Sequence, residues 1–199
     1  MNEIHTFTAV CSRGLIDALD RVQKRFATSQ ALMDQIRYPA ESLSLNFDRW
    51  DEPHASGPSL YVLIVAEMSF DHYTDPLGGN ERPIDRCRLV TDSLDKFTEV
   101  ARDVALTRDG AIVVSADGTI QQQMVRVQNP SLAETPESID VTPTKWMGTK
   151  HLSALVTSLR EEVIWAITLS EEDGRVTTFF DGEYQDYPRS EIGGRWRPS

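Results

Sequence analysis

Cysteines and long apolar segments are scarce in this chain. The two cysteines, Cys11 and Cys87, lie 76 positions apart and form no Cys-x-x-Cys motif, which is typical of free buried thiols in a reducing compartment. The longest apolar run, Leu60 to Ala66, has seven residues, whereas a bilayer-spanning helix needs roughly 20. The first residues contain neither a basic region nor an apolar block, so no secretory signal is visible. We expect a cytoplasmic protein without membrane partners.

Basic residues are also in short supply. The 199 residues include 20 Lys and Arg against 31 Asp and Glu, for a net charge of −11. Neutralising the phosphates of duplex nucleic acid requires the opposite excess, so binding of nucleic acid by bulk charge is excluded. The chain also lacks the glycine-rich P-loop, the G-x-G-x-x-G fingerprint and the G-x-S-x-G elbow. Its partners should be small molecules, metal-bridged ligands or proteins.

The acidic residues are unevenly distributed. Residues 38 to 100 contain twelve acidic and five basic residues, and residues 101 to 160 contain six of each. The acidic stretch is typical of a solvated face. A site for a polyanionic ligand is favoured in the balanced second half, where repulsion is smaller.

The hydrophobic pattern of the first half predicts one long helix, or two, over residues 12–37, ended by Pro39 because the residue before proline avoids the α region. The continuous apolar run at 60–68 predicts a strand buried on both faces. The turn-forming residues of the two remaining stretches predict a loop over 40–58 with one strand at 42–47, and a surface loop over 69–86.

The second half alternates between helical and extended patterns. A helix with capping residues is predicted to begin at Asp92, and a turn at Asp117-Gly118. Further elements are strands at 111–115, 119–127, 162–170, 175–180 and 183–187, a helix at 149–160, and a loop over 128–147 that could lie over a site. This order predicts an α/β fold with a mixed central sheet flanked by helices. We divide the chain into an N-terminal portion of unknown role (1–88), a second domain (89–190) and a mobile, mildly basic tail (191–199).

Three polar clusters lie where strands and helices change over: Asp109-Gly110-Ala111, Gly148-Thr149-Lys150-His151 and Ser170-Glu171-Glu172-Asp173-Gly174. A helix beginning at Thr149 offers unpaired N–H groups and a positive dipole end to a phosphate. Carboxylates at Asp109 and at Glu171 or Glu172, with His151, could hold a divalent cation that bridges phosphate oxygens. Each cluster alone also fits an ordinary turn or cap. Trp146, just before the second cluster, fits either loop packing or a nucleotide pocket.

The order and separation of these clusters resemble the diadenylate cyclase domain, whose members make cyclic di-AMP from two ATP. The family pattern is Asp-Gly-Ala before a strand, Gly-Thr-Arg-His-Arg at a helix start some forty residues later, and Ser-Glu-Glu-Thr-Gly after a further twenty. The likeness covers about the C-terminal half of the chain, from Leu106 to Asp186.

The resemblance implies a nucleotidyltransferase that works across two facing protomers of a homo-oligomer, each ribose 3′-hydroxyl attacking the α-phosphate of the partner's ATP. It implies a divalent metal cofactor, Mn²⁺ or Mg²⁺, held by Asp109, His151 and Glu171. Asp109 and His151 would be catalytic. The ATP-binding residues that it implies are Gly110, Ala111, Val127, Thr149, Lys150, Ser153, Ser170 and Glu171.

Two positions depart from the family pattern. Lys150 and Leu152 stand where the family has arginines, so one bidentate fork becomes a point charge and one cation is lost. An adenine-nucleotide-binding regulatory module with the same fold, which does not cyclise ATP, is the alternative that these departures leave open.

Overall fold

The computed structural model describes residues 30–128 and 144–193. Its main sheet has five strands in the order β3-β1-β5-β6-β7. These strands are β1 (Leu60–Val65), β3 (Ile112–Ser115), β5 (Val163–Leu169), β6 (Val176–Phe180) and β7 (Glu183–Tyr187). A separate antiparallel pair is formed by β2 (Thr74–Glu81) and β4 (Gln123–Val127). The helices within the described ranges are α1 (30–46), α2 (Leu94–Thr107) and α3 (Thr149–Thr157).

Strand β1 organises both halves of the core. It runs parallel to β3 and antiparallel to β5, so the sheet is mixed, as predicted. Val62 and Ile64 pack into the core that α1 and α2 cover, while Leu63 and Val65 pack into the core beneath α3. This burial on both faces explains the continuous apolar run. Because β1 lies inside the sheet, the predicted boundary at residue 88 does not separate two sheets.

The predicted end of the first helix is wrong. Residues 30–46 are helical through Pro39, and the predicted strand at 42–47 is absent, since 42–46 belong to the helix. Buried Ile36, Ala40 and Leu43 flank the proline on the core-facing side. The proline ring disturbs the backbone carbonyl of residue 35. Because residue 35 is exposed, water can solvate that carbonyl, and the packing of the core-facing side chains outweighs the local penalty. Residues 12–29 lie outside the described residues, as does Cys11.

The prediction of a loop over 69–86 is also wrong, because β2 occupies residues 74–81. Its register with β4 shifts between Pro76 and Glu81, and this irregularity contains Gly78 and Gly79. The strand predicted at 119–127 is correspondingly shorter, since only 123–127 form β4 and residues 119 and 120 make isolated bridges. The proline and glycines that predicted a loop belong instead to a strand with a bulge.

The remaining predicted elements are confirmed within a few residues. Ser93 caps α2 by accepting a hydrogen bond from the backbone N–H of Lys96. Strand β7 has the predicted bounds, and α3 ends three residues earlier than predicted. Within 30–128 and 144–193, no helix is long and apolar enough to cross a membrane. Most of the loop predicted at 128–147 and the tail from residue 194 lie outside the described residues.

Candidate functional site

A groove lies at the edge of the sheet where β1 and β3 begin and β5 ends. This arrangement follows from the strand directions, because β5 is antiparallel to β1 and β3 is parallel to it. The loop before β3, the start of α3 and the turn after β5 therefore meet at one edge. They carry the three polar clusters, which are separated in sequence by some forty and twenty residues.

Three cavities make up the groove. The first, of about 370 Å³, is lined mainly by apolar groups and by Asp109, Thr149 and Lys150. The second, of about 300 Å³, shares Thr149 and Lys150 with the first and adds the turn after β5. A third, of about 250 Å³, is lined by both Asp109 and Glu171.

All ten residues predicted from the sequence line the groove. The first cavity contains Asp109, Gly110, Ala111, Val127, Thr149, Lys150 and Ser153, and the second contains Thr149, Lys150, His151, Ser170 and Glu171. Their binding and catalytic roles stay predictions. Leu152, which replaces a family arginine, lines none of the three cavities.

Gly110 holds the Asp109 turn against β4. Its φ is +97°, and a Cβ at this position would lie 2.9 Å from the carbonyl oxygen of Val125. On either side of that contact the backbones of Ala111 and Val125 exchange hydrogen bonds of 2.7 and 3.0 Å. Only glycine satisfies both the conformation and the close approach. The turn thereby places the exposed Asp109 at the first cavity.

Lys150 lies between the cavities and points towards the sheet. Its Nζ donates hydrogen bonds to Ser59 Oγ and, at 3.3 Å, to the carbonyl oxygen of Leu169. Burial lowers the pKa of Lys150, and the charges of Glu171, Asp109 and Glu172 partly oppose that shift. Three carboxylates therefore act on the Lys150 ammonium group, and Arg108, Arg126 and Arg175 also line the cavities.

His151 is buried against aromatic rings. Trp146 contacts it edge to face, with ring centroids 5.1 Å apart, and Phe179 lies behind it. Its Nε2 has no hydrogen-bond partner. Burial, with a smaller effect of Lys150, lowers the His151 pKa to about 4, so the ring is neutral at pH 7.

The three predicted metal ligands do not form a cluster. Glu171 shares one cavity with Asp109 and another with His151, but no cavity contains all three. Across the described parts of the chain, no group of three His, Cys, Asp or Glu side chains is close enough to hold a metal ion. The two carboxylates of the predicted set, Asp109 and Glu171, line one cavity together.

Sequence reasoning missed several lining residues, among them Ser59, Tyr61, Arg108 and Arg175. Ser59 and Tyr61 come from the start of β1, which the sequence marked only as buried strand. Arg175 stacks on Trp146, with its Cζ 4.4 Å from the ring centroid, and both residues line the second cavity. Trp146 lines the second cavity and also packs on His151 and Tyr184, which fits both of its predicted alternatives.

Neither the family models nor the curated proteins include a match to this chain. Among solved structures, the chain is similar to a hypothetical membrane-spanning protein from Bacillus cereus, with a TM-score of 0.51 and 14% identity over 77% of this chain and 62% of that one. It is also similar to DacA from Staphylococcus aureus, with a TM-score of 0.46 and 16% identity over 79% of this chain and 86% of that one. At these identities the Bacillus cereus match extends to the fold alone, which is the mixed α/β fold described above.

Proposed function

We propose that this protein is a diadenylate cyclase that joins two ATP molecules into cyclic di-AMP and releases two pyrophosphates. The observation that carries the proposal is the convergence of three separate motifs on one groove. The motifs match the family pattern in order, spacing and secondary structure, with departures at Lys150 and Leu152, and the ten residues predicted for the site line the groove.

The groove has the parts that an in-line phosphoryl displacement requires, namely positioning and charge neutralisation. The apolar first cavity, with Val127 and Ala111 in its wall, is suited to a nucleobase. The N-terminus of α3 has Gly148 as its cap and no side-chain cap hydrogen bond. Its free N–H groups and Lys150 are suited to the triphosphate. Asp109, at the turn between the cavities, would orient the ribose 3′-hydroxyl.

A divalent cation fits this donor set when the substrate supplies its other ligands. Mg²⁺ characteristically uses one or two carboxylates together with phosphate oxygens and water. Asp109 and Glu171, which line one cavity, would provide the carboxylates, and the metal would supply charge neutralisation for the transferring phosphate. His151, which is buried between aromatic rings, would form part of the wall of the second cavity and would not bind the cation as a third ligand.

The reaction needs two protomers because one groove holds one ATP. Each 3′-hydroxyl must reach the α-phosphate bound by the facing protomer, and the two displacements then close the ring. The cavities are open enough for this approach, since Asp109 and Glu171 are exposed. Product release requires the pair to separate.

Two observations favour a nucleotide-binding module as the second candidate. Lys150 is already engaged by Ser59 and Leu169, and Leu152 contributes no cation to the groove. Incubating the protein with ATP and Mn²⁺ or Mg²⁺, then separating the nucleotides by chromatography, distinguishes the candidates. Cyclic di-AMP with pyrophosphate supports the cyclase, whereas bound but unconverted ATP under both metals supports the module.

A further inference from the structure

Trp50, in the segment between α1 and β1, is wedged between two glycines. A Cβ on Gly57 would lie 2.3 Å from Trp50 Cζ3, and a Cβ on Gly174 would lie 2.7 Å from Trp50 Cζ2. The indole therefore contacts the bare backbone of both loops. Its Nε1 donates a hydrogen bond of 2.9 Å to the carbonyl of Ser44, and Phe47 packs edge to face on it.

The same segment is hydrogen-bonded to the turn after β5. The backbone N–H of Gly57 donates to the carbonyl of Glu171 at 2.9 Å. The fully buried hydroxyl of Ser44 donates to the carbonyl of Gly174 at 2.5 Å. Gly174 has a φ of +70°, and its N–H closes the turn onto the carbonyl of Ser170 at 3.2 Å. Both ends of the turn are thus tied to residues 44–57.

This arrangement differs from ordinary core packing. Trp50 belongs to neither of the two apolar cores and is only half-buried. Its contacts are with the backbone of the two glycine loops and with Phe47. Within the turn, Glu171 and Glu172 are exposed, so the backbone of the turn sets where their side chains begin, and Glu171 lines two of the cavities.

We propose that Trp50 and Ser44 are positioning residues that clamp the Ser170–Gly174 turn and so hold the Glu171 carboxylate in the groove. The clamp gives the N-terminal portion of the chain a role in the site. Its catalytic consequence rests on the proposed function, because a misplaced carboxylate slows an in-line displacement only where one occurs.

Gly57→Ala is the sharpest test, with Gly79→Ala as the matched control. Gly57 has no left-handed φ, so the added methyl acts only by displacing Trp50 and the Glu171 carbonyl, which would lie 3.0 Å away. Gly79 has nothing within 4 Å of its Cβ position. We expect Gly57→Ala to slow cyclic di-AMP formation about 10-fold to 100-fold and Gly79→Ala to leave it unchanged.

A double-mutant cycle with Glu171→Gln distinguishes the clamp from general destabilisation. If Gly57 acts through Glu171, Gly57→Ala costs about 10-fold or more in the wild-type background and less than about 2-fold in Glu171→Gln. Trp50→Phe, which keeps a ring in the wedge, should restore most of the rate lost in Trp50→Ala. If the rate loss of the double variant equals the product of the losses in Gly57→Ala and Glu171→Gln, the two residues act independently and the proposal is overturned.

Amide hydrogen exchange tests the clamp without requiring activity. In the nucleotide-free protein, the amides of residues 171–174 should exchange faster in Gly57→Ala and Trp50→Ala than in Gly79→Ala. Unchanged exchange overturns the clamp. Faster exchange together with an inactive wild-type protein would keep the clamp and overturn only its catalytic consequence and the proposed function.

Discussion

Individual side chains at the groove have environments that set their charge. Three carboxylates interact electrostatically with Lys150, and its Nζ donates a hydrogen bond to Ser59 Oγ. His151 is buried among aromatic rings and is neutral at pH 7. Asp109, in contrast, is exposed. It lies in a turn whose backbone conformation requires glycine at the next position, Gly110. Asp109 is therefore open to solvent, whereas His151 forms part of the wall of the second cavity.

Asp109→Asn should lower cyclic di-AMP formation at least about 100-fold. The amide keeps the size of the side chain but loses the charge that would face the 3′-hydroxyl and the cation. Nucleotide affinity should change less than the rate, because the first cavity and the α3 N-terminus remain intact. Initial rates and equilibrium ATP binding measure the two effects. Full activity in Asp109→Asn would show that the site is assigned wrongly.

His151 should make the metal-free protein less stable as the pH falls from about 6.5 to about 4. Its pKa is about 4 when folded against an ordinary value of 6.5, so over this range the unfolded chain binds a proton that the folded chain does not. The stability is fully present above about pH 6.5 and is lost progressively below it. Among the neighbouring charges, Lys150 has the largest effect and opposes protonation, Asp173 favours it, and Arg175 opposes it.

His151→Phe is the matching variant because it keeps a ring against Trp146 but cannot titrate. Urea unfolding at pH 7.5 and pH 5, without divalent cations, should show a smaller loss of stability in the variant than in the wild-type protein. Equal losses in both proteins would mean that His151 titrates normally in the folded state.

At the scale of elements, local sequence and core packing compete. The sequence predicted α2 well because Ser93, the apolar stripe and the solvent-facing charges all agree. The sequence-based prediction failed at Pro39, where the burial of Ile36, Ala40 and Leu43 stabilises the helix beyond the proline. It failed again at β2, whose proline and glycines are accommodated by a bulge. Propensity rules assign such residues to loops because they cannot count long-range contacts.

The candidate site was more predictable than the elements around it. Eight of the ten predicted residues occur in three compact motifs, and the resemblance of their order and spacing to the diadenylate cyclase domain indicated a common site. Trp50 and Ser59 could not be found in this way, because their importance comes from contacts with residues 171–174 and 150, more than 90 positions away. No local pattern marks such pairs.

Ser93→Ala should lower the free energy of unfolding by about 1 kcal/mol, since it removes the side-chain acceptor for the Lys96 N–H. Cyclic di-AMP formation should not change, because α2 meets the groove only at its other end. Chemical denaturation and initial rates check the two statements. A loss of activity without a loss of stability would place α2 in the mechanism.

At the scale of the whole molecule, a chain with a net charge of −11 binding a polyanion requires charge compensation. The cavities are lined by four acidic residues, Asp109, Glu171, Glu172 and Asp173, and by four basic residues, Arg108, Arg126, Lys150 and Arg175. Charge is therefore balanced in the groove, although the chain as a whole is acidic. The proposed divalent cation, bound together with the nucleotide, would supply the remaining compensation, and the acidity of the chain argues against a nucleic-acid site.

The most direct test is product formation by the purified wild-type protein. ATP is incubated with Mn²⁺, with Mg²⁺ or with EDTA, and cyclic di-AMP and pyrophosphate are quantified together. We predict one cyclic di-AMP for every two pyrophosphates with at least one of the metals and none with EDTA. Formation of neither product with either metal, in protein that binds ATP, would contradict the cyclase and leave the nucleotide-binding module.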